Sequence, residues 1–281
     1  MLTKKQLDDI RSLQQICEET ENIELKLNWD TLRSRPADEK HDYFHYDKNG
    51  KLLGYLALYS FGGPVELCGM VHPDNRRKGI FCNLFNEAVK QLTQASKLLI
   101  NAPASSESAK GFIKSLPCSY SFSEYQMKRH KSKEIGTINQ EVTLEEAVSS
   151  DLEFINHLDT VCFDVPKEEA AAFNNNIFNS ENEKTFIIEY EGVKSGKIRI
   201  QIEEDAAWIY GFAVDPLFQG KGIGRSTLTN AVNHQHSKGI SWVHLEVAAE
   251  NDHALSLYKS CGFESYGTQD YYEYDLNTLK I

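Results

Sequence analysis

Short apolar runs alternate with amphipathic segments along the chain, and this pattern predicts a mixed α/β protein. Leu7, Ile10, Leu13 and Ile16 recur at three-residue steps, which is typical of one face of a helix over residues 3–20. Apolar runs bounded by glycine, proline or polar residues predict strands at residues 52–61, 65–71, 98–101, 122–127, 185–190, 197–202, 207–214 and 242–247. Helical patterns lie between them, at residues 82–93, 108–115, 152–161, 167–178 and 226–238.

The order of these elements repeats after residue 140. A period of about 145 residues is too long for a solenoid and predicts two copies of one domain. We therefore expect a first domain at residues 1–130 and a second at residues 141–281. The polar segment at residues 131–140 is the predicted linker.

Composition narrows the compartment and the partners. The 281 residues suit two domains, and no run of about 18 apolar residues predicts a membrane span. The first ten residues have no apolar core of a secretory signal, and the six scattered cysteines indicate reduced thiols in a cytoplasmic protein without a metal site. A net charge of −11 argues against nucleic-acid binding and is compatible with a cationic acceptor, although acidity also favours solubility. We expect a monomer or a homodimer.

A strand, a glycine-rich turn and a helix follow one another between Trp208 and Lys238. The strand stops at Asp215-Pro216, and the turn reads Gln219-Gly220-Lys221-Gly222-Ile223-Gly224-Arg225. Unpaired N–H groups at a helix start favour an anion, and Gly222 and Gly224 allow positive φ and close approach to a phosphate. The spacing matches neither a P-loop nor a dinucleotide fingerprint. On the glycines alone, a turn that binds nothing fits equally well.

Residues beyond this turn carry a second, more specific pattern. A strand at residues 242–247 is followed by Asn251, Ala254 and Tyr258, which share one helical face, and then by Cys261-Gly262-Phe263. Together with Gln219, Gly222 and Gly224 in a Gln/Arg-x-x-Gly-x-Gly/Ala arrangement, this half resembles the GCN5-related N-acetyltransferases (GNAT). Within that superfamily it is most similar to ribosomal-protein alanine acetyltransferases, and tandem members are known.

The resemblance implies a fold and a donor substrate. Each copy is expected to be a mixed, mainly antiparallel twisted sheet flanked by helices. Acetyl-CoA is the expected acyl donor, with its pyrophosphate on the glycine turn and its thioester beside a bulged, splayed strand. The implied cofactor-binding residues are Phe212, Ala213, Val214, Gln219, Gly220, Lys221, Gly222, Ile223, Gly224, Arg225 and Asn251.

Two side chains are the expected catalytic residues. Tyr258 is the candidate general acid for the departing thiolate, because a phenol is protonated at neutral pH; the alternative is an aromatic packing residue. Glu246 is the candidate general base acting through water, and the alternative is a solvent-facing strand carboxylate. Asn251 is a candidate ligand of acetyl-CoA, a helix N-cap, or both. The histidines at positions 234, 236, 244 and 253 are expected to be surface or structural residues and not catalytic ones.

The acceptor side is less defined by the sequence. In this family it is built from the first two helices and a final hairpin, which correspond here to about residues 150–180 and 264–278. The candidate residues are Phe163, Asp164, Phe173, Tyr266, Tyr271 and Tyr272.

The first copy departs from the pattern where chemistry is expected. Arg76 and Gly79 match Gln219 and Gly222, but Phe81 replaces Gly224. Ser106, Ile113 and Asn101 stand in place of Asn251, Tyr258 and Glu246. The first copy is therefore predicted to be degenerate; the alternative is that it binds a second acetyl-CoA without turnover.

Taken together, these residues predict an acetyl-CoA-dependent N-acetyltransferase. The acetyl group would pass to a primary amine of a small molecule or peptide by direct attack in a ternary complex. The alternative is a non-catalytic acyl-CoA-binding module.

Overall fold

The computed structural model describes residues 1–35, 40–60, 64–92, 97–133, 136, 139–180, 183–203 and 205–276. The chain forms two compact units. Unit 1 contains Met1–Ser123 and Gly267–Ile281, and unit 2 contains Glu124–Tyr266. Among the described helices, none has the length and apolar character that a membrane span requires.

Helices and strands alternate as the hydrophobic pattern predicts. The helices are α1 (Lys4–Glu21), α2 (Trp29–Ser34), α3 (Ile80–Val89), α4 (Glu107–Ile113), α5 (Leu152–Phe163), α6 (Lys167–Phe178), α7 (Ile223–Ser237) and α8 (Asp252–Ser260). The strands are β1 (Asp42–Tyr46), β2 (Leu52–Ser60), β3 (Val65–Val71), β4 (Leu98–Pro103), β5 (Cys118–His130), β6 (Val142–Glu146), β7 (Glu183–Tyr190), β8 (Val193–Glu203), β9 (Ala206–Val214), β10 (Trp242–Ala248) and β11 (Glu264–Tyr274). The polar sequence at residues 30–42 is compatible with a helix or a loop, and most of α2 lies there. The sequence pattern missed β1 and β6, which are short and only partly buried.

Unit 1 is built on a sheet with the strand order β1-β2-β3-β4-β11. Only the β3–β4 pair is parallel. One face packs against α3 through residues such as Leu56, Leu84 and Phe85, and the other face packs against α1 and α2 through Ile10 and Leu32. Both faces of this sheet are therefore covered by helices.

Unit 2 repeats this plan with the strand order β5-β10-β9-β8-β7-β6. Here the β9–β10 pair is the parallel one. Helix α7 covers one face through Ile223 and Leu228, which pack in the same core as Ile209 and Leu245. On the opposite face, Ile155 of α5 packs in a smaller cluster with β7.

The compact units have different limits from the predicted domains, which are residues 1–130 and 141–281. Residues 124–130 of β5 pair with β10 of unit 2, and residues 269–274 of β11 pair with β4 of unit 1. Periodicity identifies a strand but not its partner, so the sequence could not show this exchange. Of the predicted linker, residues 134, 135, 137 and 138 lie outside the described residues.

Candidate active site

The sheet of unit 2 forks between its two parallel strands. Backbone pairing of β9 with β10 runs from Ala206–Trp242 to Ile209–Leu245 and ends there. Strand β9 nevertheless continues to Val214, and β10 continues to Ala248. The final residues of both strands therefore leave backbone donors and acceptors beside the opening, as the family resemblance predicts.

A β-bulge lies in β9 just beyond the point where the strands part. Lys197 of β8 pairs with Ala213, whereas Arg199 pairs with Tyr210, so β9 carries one more residue than β8 between these pairs. Gly211 has a φ of 50° there, a left-handed conformation that favours glycine. Side chains along a strand normally alternate between the two faces of the sheet, and the extra residue shifts this alternation by one position. As a result, both Ile209 and Phe212 pack in the core on the α7 side.

The glycine turn leads from β9 into α7 and presents unpaired donors. Gly220 and Gly222 both have a φ of 78°, and Gly222 is the N-cap of α7 without a side-chain cap. Within the described part of the chain, the six consecutive N–H groups from Gly220 to Arg225 donate no hydrogen bond to the backbone. Such a row at a helix start forms a site for an anion.

Gln219 and Gly224 have more specific roles than the sequence motif indicates. The Gln219 Nε2 donates to the Val214 carbonyl over 2.9 Å, which ties the turn to the end of β9. Gly224 does not have positive φ, so that expectation was wrong. A Cβ at Gly224 would lie 3.2 Å from Leu257 Cδ2 and 3.6 Å from Phe212 Cζ, so the glycine lets α7 approach α8 and β9 closely.

Two cations flank the turn. Lys221 and Arg225 are exposed, and the Lys221 Nζ lies 5.1 Å from the ring centre of Phe218 and 5.7 Å from that of Tyr190. Both charges have the sign that an anion at the turn requires.

Tyr258 lies on α8 with its side chain in the core of unit 2. It is 8% exposed, and burial raises the pKa of its phenol to about 12. Its hydroxyl makes no hydrogen bond to any residue that the structure describes, although the ring packs edge-on at 6.1 Å from Phe263. The two roles considered for Tyr258, packing and proton donation, are therefore compatible. The ring is held in place by packing, and the protonated hydroxyl can still donate a hydrogen bond.

Asn251 and Glu246 lie on the β10 side of the fork. Asn251 is the N-cap of α8, because its Oδ1 accepts the Ala254 N–H over 3.0 Å. Its exposed amide nitrogen remains a donor. Glu246 is the first residue of β10 beyond the last β9 pair, and its carboxylate accepts a 3.4 Å hydrogen bond from Gln126 Nε2. The neighbouring Leu245 and Val247 face the core, so Glu246 faces the opposite side of the sheet.

Comparison with known proteins supports the interpretation of this geometry. A model described as the acetyltransferase (GNAT) family matches residues 152–263. The chain contains a GNAT acetyltransferase domain. The predicted family and the predicted enzyme class, an acyltransferase, are thereby confirmed. The roles of the individual site residues stay predictions.

Two curated relatives match the GNAT domain over different lengths. The [Ribosomal protein bS18]-alanine N-acetyltransferase of Escherichia coli (strain K12) is 28% identical over 121 residues, which is 43% of this chain and 80% of that protein. The mycothiol acetyltransferase of Nocardiopsis dassonvillei is 38% identical over 69 residues, which is 25% of this chain and only 21% of that protein.

Solved structures extend the similarity in fold to the whole chain. A GCN5-related N-acetyltransferase from Sphaerobacter thermophilus has a TM-score of 0.81 at 16% identity, covering 98% of this chain and 94% of its own. A tandem GNAT protein from the clavulanic acid biosynthesis pathway has a TM-score of 0.73 at 14% identity, covering 97% and 95%. The predicted fold class, with two tandem GNAT folds, is confirmed.

The glycine turn of the first GNAT copy has nearly the same backbone as that of the second. Gly79 has a φ of 79° and is the N-cap of α3, as Gly222 is of α7. Arg77, at the position of Gly220, has a φ of 62°. In the described part of the chain, the backbone N–H groups of residues 77–82 also donate no hydrogen bond to the backbone. Sequence comparison alone did not show that this cradle persists.

Glycine and phenylalanine have exchanged places between the two copies. In unit 2, Phe212 of β9 packs over Gly224. In unit 1, Phe81 takes the position of Gly224 and packs over Gly69, which takes the position of Phe212; a Cβ on Gly69 would lie 2.8 Å from that ring. The Phe81 ring also contacts Phe112 edge-on at 4.7 Å. In both copies an aromatic ring fills the space between the strand and the helix that follows the turn. The ring belongs to the strand in unit 2 and to the helix in unit 1.

A carboxylate bridges the two arms of the fork in unit 1. Glu21 at the end of α1 forms an ion pair with Arg76, which follows β3, and accepts a 2.6 Å hydrogen bond from Ser106 Oγ, which follows β4. These contacts hold the pKa of Glu21 below its usual value, against the opposing effect of burial. The matching position in unit 2, directly before the left-handed C-cap of α5, is Phe163, which carries no carboxylate.

A buried ionic network, which the sequence did not reveal, lies behind the bulge of unit 2. The Lys197 Nζ donates to Asp159 Oδ1 over 2.6 Å, and Asn174 Nδ2 donates to Asp159 Oδ2 over 2.7 Å. Burial lowers the pKa of Lys197, while Asp159 opposes that shift. Lys197 Nζ lies 4.0 Å from where a Cβ on Gly211 would stand, so the network borders the bulge directly.

Some of the residues predicted for the acceptor side lie elsewhere. Tyr271 and Tyr272 belong to unit 1, where they pair with Asn101 and Ile100 of β4, so assigning them to the acceptor side of the second copy was wrong. Phe173 and Tyr266 belong to unit 2, and Asp164 is the left-handed C-cap of α5. Phe163 ends α5 with an exposed side chain.

Proposed function

We propose that unit 2 is an acetyl-CoA-dependent N-acetyltransferase, which transfers the acetyl group to a primary amine within a ternary complex. The observation that carries this proposal is the combination, in one unit, of a forked and bulged strand pair with six N–H groups at the start of α7 that have no backbone partner among the described residues. A diphosphate needs the second feature, and a thioester that must be reached by an amine needs the first.

Each group then has one task. The backbone from Gly220 to Arg225 binds the pyrophosphate, with Lys221 and Arg225 adding positive charge. The end of β9 donates N–H groups to the thioester carbonyl as its oxygen becomes negative. Asn251 binds the donor through the amide nitrogen that its capping role does not use.

The reaction requires a neutral amine and a protonated leaving group. The amine nitrogen forms a bond to the carbonyl carbon, the carbon–sulfur bond breaks, and Glu246 accepts the amine proton through a water molecule. Tyr258 donates to the sulfur as negative charge develops there. Its raised pKa keeps the phenol protonated across the neutral range.

Unit 1 has a supporting role in this proposal. Its turn keeps the anion cradle, but the Phe81 ring lies at the junction and the Glu21 carboxylate joins both arms of its fork. Ile113 and Asn101 cannot supply the acid and base of Tyr258 and Glu246. We therefore expect one working site per chain.

A matched pair of variants tests the donor site. Gly222→Asp is expected to weaken acetyl-CoA binding at least 100-fold in titration calorimetry, because it adds a negative side chain to the phosphate cradle. Gly79→Asp makes the same change at the same φ in unit 1 and should leave the affinity unchanged. Equal affinities for all three proteins would refute the assignment.

Turnover is tested separately, by thiol release with a panel of primary amines. Acetyl-CoA binding with amine-dependent thiol release supports the transferase. Tight binding without release for any amine would instead identify a non-catalytic acyl-CoA-binding module.

A further inference from the structure

A row of aromatic side chains crosses the sheet of unit 2 on the face opposite α7. Its members lie on β9, β10, α6 and the end of unit 2, and all are half-buried. This aromatic row consists of Phe173, Tyr210, Trp208, His244, Tyr266 and Trp242. The function proposed above assigns no role to it.

The row is ordered by strand geometry. Trp208 and Tyr210 are two residues apart on β9, and their rings are nearly parallel, with centres 6.1 Å apart. Trp208 pairs with His244 across the parallel strands, and these rings stack with centres 4.7 Å apart. Tyr266 meets His244 edge-on at 5.7 Å. The rings therefore form one continuous apolar wall.

This wall leads directly to the proposed reaction centre. Glu246 lies two residues after His244 on the same face of β10, so the two side chains start about 7 Å apart. That separation suits an amine nitrogen near Glu246 joined by two or three carbon atoms to a group packed against Trp208 and His244.

Charge along the row favours one class of acceptor over another. Arg199 lies over Phe173 and Tyr210 at one end, at 4.8 and 5.6 Å. Lys128 lies over Tyr266 and Trp242 at the other end, at 4.6 and 5.2 Å. Arg199 is also paired with Glu183, with 2.6 Å between Nε and Oε1, so its end of the row carries little net charge. Lys128 makes the other end positive, which disfavours a second cation of a polyamine there.

The centre of the row is neutral. Burial, with a further contribution from Lys128, lowers the pKa of His244 to about 4, so its ring is uncharged at neutral pH. Its Nδ1 is buried and makes no hydrogen bond to a described residue. The middle of the wall thus behaves as an aromatic surface and not as a charged one.

We propose that the aromatic row is the specificity surface of the acceptor site and selects a primary amine that carries an aromatic ring two or three carbon atoms from its nitrogen. This inference rests on the function proposed above. An arylalkylamine and a peptide with an N-terminal phenylalanine share this chemistry, because both place a ring at the same distance from the amine.

The first experiment compares acceptors with the wild-type protein at fixed pH. We expect kcat/KM for 2-phenylethylamine to exceed that for n-butylamine and for spermidine at least ten-fold, since aromatic contacts and burial contribute that much. The peptide Phe-Gly-Gly against Gly-Gly-Gly tests the second source. A preference only in the peptide pair assigns a peptide acceptor, and a preference only in the amine pair assigns a small molecule.

The second experiment alters the row. Trp208→Ala should reduce kcat/KM for the preferred aromatic acceptor about ten-fold while changing that for n-butylamine less than two-fold. Trp29→Ala removes a tryptophan of unit 1 and is the matched control, for which no change is expected. Retained affinity for acetyl-CoA in both variants shows that unit 2 is folded.

A binding measurement covers the case in which no amine is turned over. With Trp29 and Trp242 both replaced by phenylalanine, Trp208 is the chain's single tryptophan, and its fluorescence should respond to 2-phenylethylamine but not to n-butylamine. If no amine is turned over but the fluorescence still responds to 2-phenylethylamine alone, the result contradicts the proposed transferase activity and not the aromatic specificity of the surface. Equal responses, or equal kcat/KM for aromatic and aliphatic amines, would overturn the aromatic-acceptor proposal while leaving the transferase intact.

Discussion

The Lys197–Asp159 pair allows a quantitative prediction about what holds the bulge of unit 2. The side chains are 4% and 12% exposed, and their charged atoms lie 2.6 Å apart. At an effective dielectric constant of about 20, two unit charges about 3 Å apart attract each other by about 5 kcal/mol. Lys197→Met removes that attraction but leaves the carboxylate buried with Asn174 as its donor. We expect the free energy of unfolding to fall by about 3–5 kcal/mol.

The double variant is expected to recover most of this loss. Burial has the largest effect on the pKa of Lys197 and lowers it, so the attraction of Asp159 does not fully offset the lost hydration. Replacing both charges with apolar groups of similar size removes the two desolvation costs together. Lys197→Met combined with Asp159→Leu should therefore unfold within about 1–2 kcal/mol of the wild type.

Urea unfolding followed by tryptophan fluorescence measures both effects. In a Trp29→Phe background, the remaining tryptophans at positions 208 and 242 report only on unit 2. Lys133→Met is the control, because its pair with Glu264 is 43% and 71% exposed and should contribute less than about 1 kcal/mol. A Lys197→Met loss no larger than that of Lys133→Met, or a double variant as unstable as the single one, would refute the reasoning.

Three further outcomes are expected. Tyr258→Phe should lower kcat about 10²–10⁴-fold with little effect on acetyl-CoA affinity, whereas Ile113→Ala in unit 1 should leave the kinetic constants unchanged; full turnover in Tyr258→Phe would reject the phenol as acid. Calorimetry should give one equivalent of acetyl-CoA per chain, because Phe81 and Glu21 occupy the fork of unit 1; two equivalents would contradict this. The folded protein protonates His244 only near pH 4 and the unfolded chain near pH 6.5. The contribution of His244 to stability should therefore be full above pH 6.5 and fall by about 1.4 kcal/mol for each pH unit as the pH drops between these values. Unfolding at several pH values tests this, and His244→Phe should show a smaller slope.

The sequence predicts the local features of the site well. Gly220 and Gly222 could be placed in a turn because left-handed backbone favours glycine, and the structure gives both a φ of 78°. The spacing to Asn251 also predicts its position at the start of α8, where its side chain is the N-cap. These are short-range relations, in which residue type and spacing carry the relevant physics.

Long-range pairing is what the sequence could not supply. The family resemblance implies a bulged strand, but the position of the bulge depends on the register of β9 against β8, which residue spacing does not give. The ion pair of Lys197 with Asp159 joins residues 38 positions apart, and an alternating strand pattern does not distinguish a buried lysine from an exposed one. The assignment of Tyr271 to the acceptor side was wrong for the same reason, because it depended on the strand beside β11.

The comparison of the two copies shows why a conserved turn geometry is insufficient evidence of a working site. In both turns six successive N–H groups donate to no backbone acceptor among the described residues, and the N-cap glycines differ by only about one degree in φ. What differs is the fork beyond each turn, where unit 1 has Phe81 and the Glu21 bridge, and unit 2 has Gly224 and, at the end of α5, Phe163. The turn alone therefore does not distinguish the two copies. Catalysis also requires that the thioester reach the space between the strands, so the residues at the fork, and not those of the turn, assign the reaction to unit 2.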